Sequence, residues 1–437
     1  MDVGGLWTID RRAVGQSPGA RNLGQRTGAG HESLPGACRR GSSALWNRAQ
    51  CRPLVGRALM IHVHRYHLVL RGAWGKSIAR STREGALLRF RMHDGVVGHA
   101  DLFAWPELGD ADLSELLLKL ASTLADLAAE FVGKNSGIEA GGFSEAALAA
   151  LQGRLQVVAD EDLRFRLLPR LVDAARAEIT ASREKRPVVG GSVLNHRTVL
   201  SAYSMAVGDV MNARRGGFPA IKLKTHGSFE DAEALARLNG HWRIGLRLDC
   251  NERSDRETLL RFLDKLPIRM LQQIDFLEDP FPFSVQAWSD FHRETGIRLA
   301  LDRPSMRLSE SELAAAFLEG AAQVYVHKPQ WTSSDVAKRL VDVWGSAAPS
   351  RPVQMVVTSA LGHPIGNLYA ASVAAELAPD AHHGCMTHTV YRDDEISNAL
   401  IASGQIKGAR IFGNGIGYGF PEKSLQQIRW NGLKAGD

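Results

Sequence analysis

The fold is decided between residues 219 and 328. There PAIKLK (219–224), IGLRLD (244–249), QIDFLE (273–278), IRLALD (297–302) and AQVYVHK (322–328) follow one another, each an apolar run ending on a charged side chain. From Lys224 the steps to Asp249, Glu278, Asp302 and Lys328 are 25, 29, 24 and 26 residues, each the length of one strand and one helix. Amphipathic stretches such as FEDAEALARLN, DRETLLRFLDK and LSESELAAAFLEG lie between the runs, so strand and helix alternate as they do in a parallel sheet. Working outward, PVVGGSVL comes before, and PVQMVVTS and the weaker HHGCMTH come after. Eight β/α units over roughly 200 residues is the count of a closed barrel rather than an open sheet. The expected fold is therefore α/β, a (β/α)8 TIM-type barrel over residues 188–410 with one irregular unit. A doubly wound sheet would carry a glycine-rich turn after its first strand, and none occurs; the spaced glycines of GNGIGYGF (413–420) have no strand and helix behind them.

Before the barrel, HRYHLVL, GALLRFRMHDG and VVGHADLFAW read as three strands, with Asp94-Gly95 marking a tight hairpin. LSELLLKLASTLADLAAEF, SEAALAALQGRLQ and RFRLLPRLVDAARAEI then repeat apolar residues at helical spacing. Residues 60–187 are thus expected to form an N-terminal α+β capping domain, and 411–437 a C-terminal segment packing back on it.

The chain has 437 residues, 44% hydrophobic and 23% charged, with a formal charge of +6. Nine Arg, no Lys and three acids fall within residues 1–57, which carry +6 themselves and leave the rest neutral. Segment 1–59 is rich in Gly, Ser, Arg and Pro without strand or helix period, and reads as a disordered basic tail or a start assigned too early. Residues 60–437 are expected to fold and act without it. A neutral body argues against a nucleic-acid or membrane binder, no apolar stretch is long enough to span a bilayer, and four Cys give no disulfide framework. The expected location is cytoplasmic.

A barrel enzyme carries its chemistry at the carboxyl ends of its strands. Lys222 and Lys224, Asp249, Glu278, Asp302 and Lys328 all stand there. Singly, a strand-end acid is most often a cap for the next helix and a lone Lys is solvated; five consecutive units of such residues are hard to obtain that way. Three carboxylates on adjacent strands repel one another unless a cation lies between them, and an all-oxygen set suits Mg²⁺, with Mn²⁺ as a substitute. Lys222 and Lys224, at i and i+2, point to one side of their strand. Like charge and burial both lower a lysine pKa, so such a lysine can act as a general base while the metal stabilises the oxyanion formed. The chemistry described is metal-assisted proton abstraction α to a carboxylate. Cys250 reads as an inert buried thiol, since no base is placed for it.

The set KLK, LDCN, FLEDPF, LALD and VHKP, behind a capping α+β domain, resembles the enolase superfamily in its muconate-lactonizing subgroup, which carries lysines on strands two and six. His363 lies beyond TSALG and reads as loop. The compact cap, TSALGHPIGN and AAELAPDAHHG resemble the o-succinylbenzoate synthase family. That resemblance implies syn dehydration of a small carboxylate, 2-succinyl-6-hydroxy-2,4-cyclohexadiene-1-carboxylate, in menaquinone biosynthesis. It implies that Lys224 removes the α-proton, that Lys222 depresses the pKa of Lys224, and that Lys328 faces the ring from the other side. It further implies that Asp249, Glu278 and Asp302 hold Mg²⁺ against an enediolate, with Asn251 behind them and Ser359 near the succinyl carboxylate. Family members commonly read Asp-Glu at the end of strand five, whereas this chain reads Asp302-Arg303-Pro304. Arg303 leaves two expectations, a weakened metal site or a cation that binds a substrate carboxylate. Dipeptide epimerases of the subgroup carry Asp-x-Asp near strand eight; here that segment reads CMTHT, and Asp393-Asp394 comes later. N-succinylamino acid racemisation is the alternative, with Lys328 as the second acid/base.

Overall fold

The computed structural model describes residues 61–69, 82–133, 142–199, 202, 205–239, 241–347, 353–391, 405–407, 416–419 and 431–433. The segment 1–59 and the Asp393-Asp394 pair lie outside the described residues.

The cap opens with strands β1 (Ile61–Val69), β2 (Thr82–Arg91) and β3 (Val97–Leu102), followed by helices α1 (Leu113–Gly133), α2 (Glu145–Glu161) and α3 (Leu167–Arg183). The strands pair antiparallel, with Ile61 opposite Phe90 and Arg91 opposite Val97. The β2–β3 hairpin turns at Asp94-Gly95: Gly95 takes φ +84°, and the Asp94 side chain accepts the Val96 N–H at 3.0 Å. Helix α3 buries Leu168, Leu171, Val172, Ala175 and Ile179 as one stripe and packs on β3. The approach is close enough that a Cβ at Gly98 would lie 2.3 Å from the Ala175 carbonyl oxygen.

Then come β4 (Ser192–Leu194), β5 (Arg197–Val199), α4 (Val207–Arg215), β6 (Ala220–Lys224), α5 (Phe229–Arg237), β7 (Gly245–Asp249), α6 (Arg256–Lys265), α7 (Ile268–Leu271), β8 (Ile274–Glu278), α8 (Val285–Thr295), β9 (Leu299–Leu301), α9 (Glu310–Leu318), β10 (Val324–His327), α10 (Ser334–Ala347), β11 (Gln354–Val357), α11 (Pro364–Leu377), β12 (Gln405–Lys407) and β13 (Asn431–Gly432). Strands β5 to β11 form one parallel sheet in chain order. Residues 383 and 384 close it, bridging Asn195 on one side and Thr358 on the other. The His196 N–H donates to the His383 carbonyl at 2.7 Å and the Gly384 N–H to the Val357 carbonyl at 2.8 Å. The barrel is thus complete, with the eighth position held by a short bridge segment.

One expectation is corrected. PVVGGSVL does not supply the first barrel strand: β4 pairs antiparallel with β12, while the Gly417 carbonyl accepts the Val188 N–H and the Gly417 N–H donates to the Arg186 carbonyl, and the parallel sheet begins at Arg197. The glycine pair 190–191, with Gly191 at φ +118°, splits the apolar run into two short edges. At the other end of the chain β13 pairs with β1, Asn431 opposite Val63.

Strand alternation explains where the charges go. Phe276, Ala300, Val324, Val326 and Val356 form a separate buried cluster that fills the barrel interior. Two residues further along the same faces stand Glu278, Asp302 and Lys328, just as Asp249 follows Arg247 and Lys224 follows Lys222. The mouth residues are therefore the top layer of the barrel filling.

Candidate active site

The strand-end acids are not helix caps. Helices α5, α6, α8 and α9 are capped by Ser228, Asp255, Ser284 and Ser309, whose side chains accept the N–H groups of Asp231, Thr258, Ala287 and Glu312. Asp249, Glu278 and Asp302 are left to the lysines and, for Asp249, to Asn251.

Lys222 Nζ stands 2.5 Å from Glu278 Oε1 and 3.2 Å from Asp249 Oδ2. Burial would lower this ammonium's pKa, but Asp249, Glu278 and Asp302 outweigh that and hold it protonated. Lys224 Nζ lies 3.9 Å from Asp249 Oδ2 and 3.3 Å from Asn251 Oδ1. Burial brings Lys224 below the usual lysine range; Asp249 opposes this, and the cations Lys222 and Arg303 add to it. The two lysines of one strand are thus separated in role, one locked charged and one eased toward neutrality. Across the ring, Lys328 Nζ pairs with both carboxylate oxygens of Asp302. Counted around eight positions, the strands of Lys224 and Lys328 are four apart, so these lysines face each other across the mouth.

Burial would raise Asp249, but Lys222 and Lys224 outweigh it and pull it down to about 2. Glu278, 1% exposed, is pushed up to about 7 by burial, with Asp249 and Asp302 adding to the rise and Lys222 opposing it. Asn251 takes φ +52°, and its amide donates to Asp249 Oδ1 at 2.6 Å, joining Asp249 to Lys224. Arg303 is half-buried, and its N–H donates to the Asp279 carboxylate at 2.9 Å. Ser359 is buried, 2% exposed, with its hydroxyl 2.5 Å from Thr387 Oγ1. It sits in the seam that closes the barrel, where the Gly384 carbonyl also accepts its hydroxyl. The Cys250 thiol is buried and pushed up by that burial.

Two residues that the spacing argument passed over belong to this region. Asp279, fully buried at φ +45°, accepts the N–H groups of Asp302 and Arg303 at 2.9 Å each and so fixes the end of strand five. Its signal was the second acid of FLEDPF. Trp331 lies beside Lys328, with the ammonium 5.0 Å from the indole centroid; an aromatic three residues beyond a strand-end lysine was its only mark.

Among the described residues no group of His, Cys, Asp and Glu converges tightly enough to chelate an ion as it stands. Lys222 and Lys328 pair with these carboxylates. The donor set itself fits a hard divalent ion: three carboxylates on adjacent strands, all oxygen, with Glu278 driven toward neutrality by burial and further by Asp249 and Asp302. Asp249, Glu278 and Asp302 are the residues that would hold it.

A mouth of this kind, beneath a cap joined to the barrel, is defined further by likeness to known proteins. Residues 61–129 match the o-succinylbenzoate synthase N-terminal domain, and residues 206–420 match the enolase C-terminal domain-like family. The chain belongs to the enolase superfamily and is like its o-succinylbenzoate synthases. A relative from Bdellovibrio bacteriovorus, an o-succinylbenzoate synthase, is 27% identical over 364 residues, 82% of this chain and 93% of that protein. Among solved structures, a dipeptide epimerase from Enterococcus faecalis complexed with Mg and L-Leu-L-Tyr matches with a TM-score of 0.64 at 14% identity, covering 83% of this chain and 99% of that one. An N-succinyl Arg/Lys racemase from Bacillus cereus matches with a TM-score of 0.62 at 15% identity, over 86% of this chain and 99% of that one. At such identities the two structures speak for the fold alone. No helix among the described residues is long and apolar enough to cross a membrane.

Proposed function

We propose that the chain is an o-succinylbenzoate synthase, a hydro-lyase converting 2-succinyl-6-hydroxy-2,4-cyclohexadiene-1-carboxylate to o-succinylbenzoate in the cytoplasmic synthesis of menaquinone. The observation that carries this is the pair Lys224 and Lys328 facing each other across three strand-end carboxylates, in a chain whose cap matches the synthase N-terminal domain. A bound Mg²⁺, or Mn²⁺ in its place, would supply the positive charge against which the substrate carboxylate gathers electrons. Lys224, with its ammonium disfavoured, takes the proton α to that carboxylate on Nζ. The electron pair left on carbon forms the ring double bond as the C–O bond breaks. Lys224 then gives the same proton to the departing hydroxyl, so water leaves from the face on which the proton was removed. Lys222 stays protonated between Asp249 and Glu278 and keeps a positive charge beside Lys224. Lys328 presents a cation to the opposite face of the ring.

The same opposition of lysines favours a second reading, N-succinylamino acid racemisation, in which Lys224 and Lys328 exchange protons on opposite faces of one carbon. The test is turnover of the cyclohexadiene substrate by the full chain with Mg²⁺ and with EDTA, followed by loss of its absorbance, beside racemisation of N-succinylamino acids. Fast, metal-dependent dehydration is expected. Racemisation without dehydration would replace the first reading by the second.

A further inference from the structure

We propose that Trp331 is a positioning residue for Lys328, holding its ammonium over the mouth once Asp302 is no longer its partner, and that it ties this lysine to the cap. The inference rests on the proposed function for its kinetic consequence, but the geometry stands by itself. Trp331 follows the strand-six lysine in a tight turn, its N–H donating to the Lys328 carbonyl at 2.9 Å. Its ring is buried, 8% exposed, and among the described residues its Nε1 hydrogen has no acceptor. No hydrogen bond therefore fixes the ring. It is held by packing and by two cations: Lys328 Nζ is 5.0 Å from its centroid and the Arg166 guanidinium carbon 5.5 Å, both within cation–π reach. Arg166 belongs to the cap, just before helix α3, and is itself anchored. It lies 2.7 Å from the fully buried Asp110 carboxylate and donates to the Leu108 carbonyl at 3.2 Å. A continuous series, Asp110, Arg166, Trp331, Lys328 and Asp302, thus runs from cap to barrel mouth, two cations on one aromatic ring and each paired with a carboxylate.

Asp302 spends both oxygens on Lys328 in this structure. The same oxygens are those a divalent ion would take, and its double charge would outcompete the single ammonium for them. When the ion is present, Lys328 gives up its carboxylate, and a lysine side chain with four rotatable carbons then has no single place to be. The indole is the neighbour that remains. It contributes no proton and competes for none of the ion's donors, which suits a support for a cation that must face the substrate ring. A carboxylate there would neutralise Lys328, and an aliphatic side chain would leave it adrift.

The test uses the full chain labelled with ¹³C at lysine Cε, with and without Mg²⁺, together with kinetics of dehydration. One lysine resonance, assigned through its loss in Lys328→Arg, is expected upfield from the ring current, and it should stay there when Mg²⁺ is added. Trp331→Leu should return it to the position of a solvated lysine and lower kcat about tenfold with KM little changed, the scale of one desolvated cation–π contact. Trp331→Phe, which keeps an aromatic face, should restore most of both. An unshifted Lys328 resonance in the Mg²⁺-bound wild type, or a Trp331→Leu chain with wild-type kcat, would overturn the inference. If Trp331→Leu does not fold, the wild-type resonance and Trp331→Phe decide. A wild-type chain that turns over neither class of substrate removes the proposed function but leaves the resonance intact as the measure of where Lys328 is held, so the two failures are distinct.

Discussion

The carboxylate of Asp101, on the last cap strand, accepts the backbone N–H of His363 at 2.8 Å, at the first turn of helix α11. Its other oxygen takes the Tyr66 hydroxyl at 2.5 Å. The fit is tight: a Cβ at Gly362 would lie 2.3 Å, and one at Gly366 2.6 Å, from the same carboxylate oxygen. Nearby, Trp105 Nε1 donates to the Ala360 carbonyl at 2.8 Å. The cap is fastened to the loop after strand seven by buried polar contacts rather than by apolar burial alone, and such contacts are costly to leave half made.

Asp101 therefore titrates visibly. Burial pushes its carboxyl up to about 7, against the Tyr66 hydroxyl and the His363 N–H, which favour the charged form. The folded pKa lies above the unfolded one, so this group's contribution to stability is fully present below about pH 4 and is lost as pH rises through about 7. Buried His363, lowered to about 3 by burial and by His64, His388 and His99, works the other way and loses stability as pH falls below about 6.5. Comparing urea midpoints of wild type and Asp101→Asn isolates the first effect: the wild type should lose ground relative to the variant between pH 5 and pH 8. A constant difference across that range would show that Asp101 stays ionised in the fold.

Lys224→Ala should remove dehydration while leaving the fold and the carboxylates in place, because the side chain is 36% exposed and its loss buries no unpaired charge beyond Asp249, which keeps Lys222. A positioned general base contributes roughly 10²- to 10⁴-fold, so kcat should fall by at least that range with an unchanged melting temperature. Turnover within tenfold of wild type would take the base role from Lys224.

Much of this was legible before the structure. The strand ends announced themselves because each apolar run stops at a charge one β/α unit after the last, and a charge closing a barrel strand has only the mouth to enter. Asp94-Gly95 and the helical periods of the cap were equally plain. What escaped depended on distance in sequence. PVVGGSVL looked like a barrel strand because its apolar run says nothing of its partners, which are Gly417 and strand β12. The partners of Ser359, Thr387 and the Gly384 carbonyl, come from the last bridge of the barrel and leave no mark in the local sequence. Asp279 was hidden by its neighbour: one acid of a pair faces the mouth, and the next in sequence turns to bind backbone N–H groups.

Glu278 presents a different balance. With a side chain 1% exposed against Lys222 at 2.5 Å, Glu278→Gln removes one donor of the expected metal set and one partner of a buried ammonium. Breaking a buried pair from one side costs about 3–5 kcal/mol, although Lys222 retains Asp249 at 3.2 Å, which places the loss at the low end. Isothermal titration should show Mg²⁺ affinity falling at least tenfold, and thermal melts a lower midpoint in EDTA. Wild-type affinity in the variant would exclude Glu278 from the metal set.

Arg303 stands where the resembled family is expected to carry a glutamate, and the structure ties its backbone down. Asp279 accepts the N–H groups of both Asp302 and Arg303, each at 2.9 Å, so the guanidinium leaves from a fixed point at the mouth. It is half-buried, and among the described residues no carboxylate is paired with it through its side chain. A cation so placed beside Lys224 disfavours the charged form of that lysine and attracts an anion. For a substrate with two carboxylates, one against the metal and one elsewhere, Arg303 is a ready partner for the second. Arg303→Ala should raise KM roughly tenfold or more, the scale of a charged hydrogen bond, with a smaller change in kcat. Arg303→Glu, which puts an acid there, should raise it further by repulsion. If Arg303→Glu instead binds Mg²⁺ more tightly and turns over faster, the arginine weakens the metal site and does not serve the substrate.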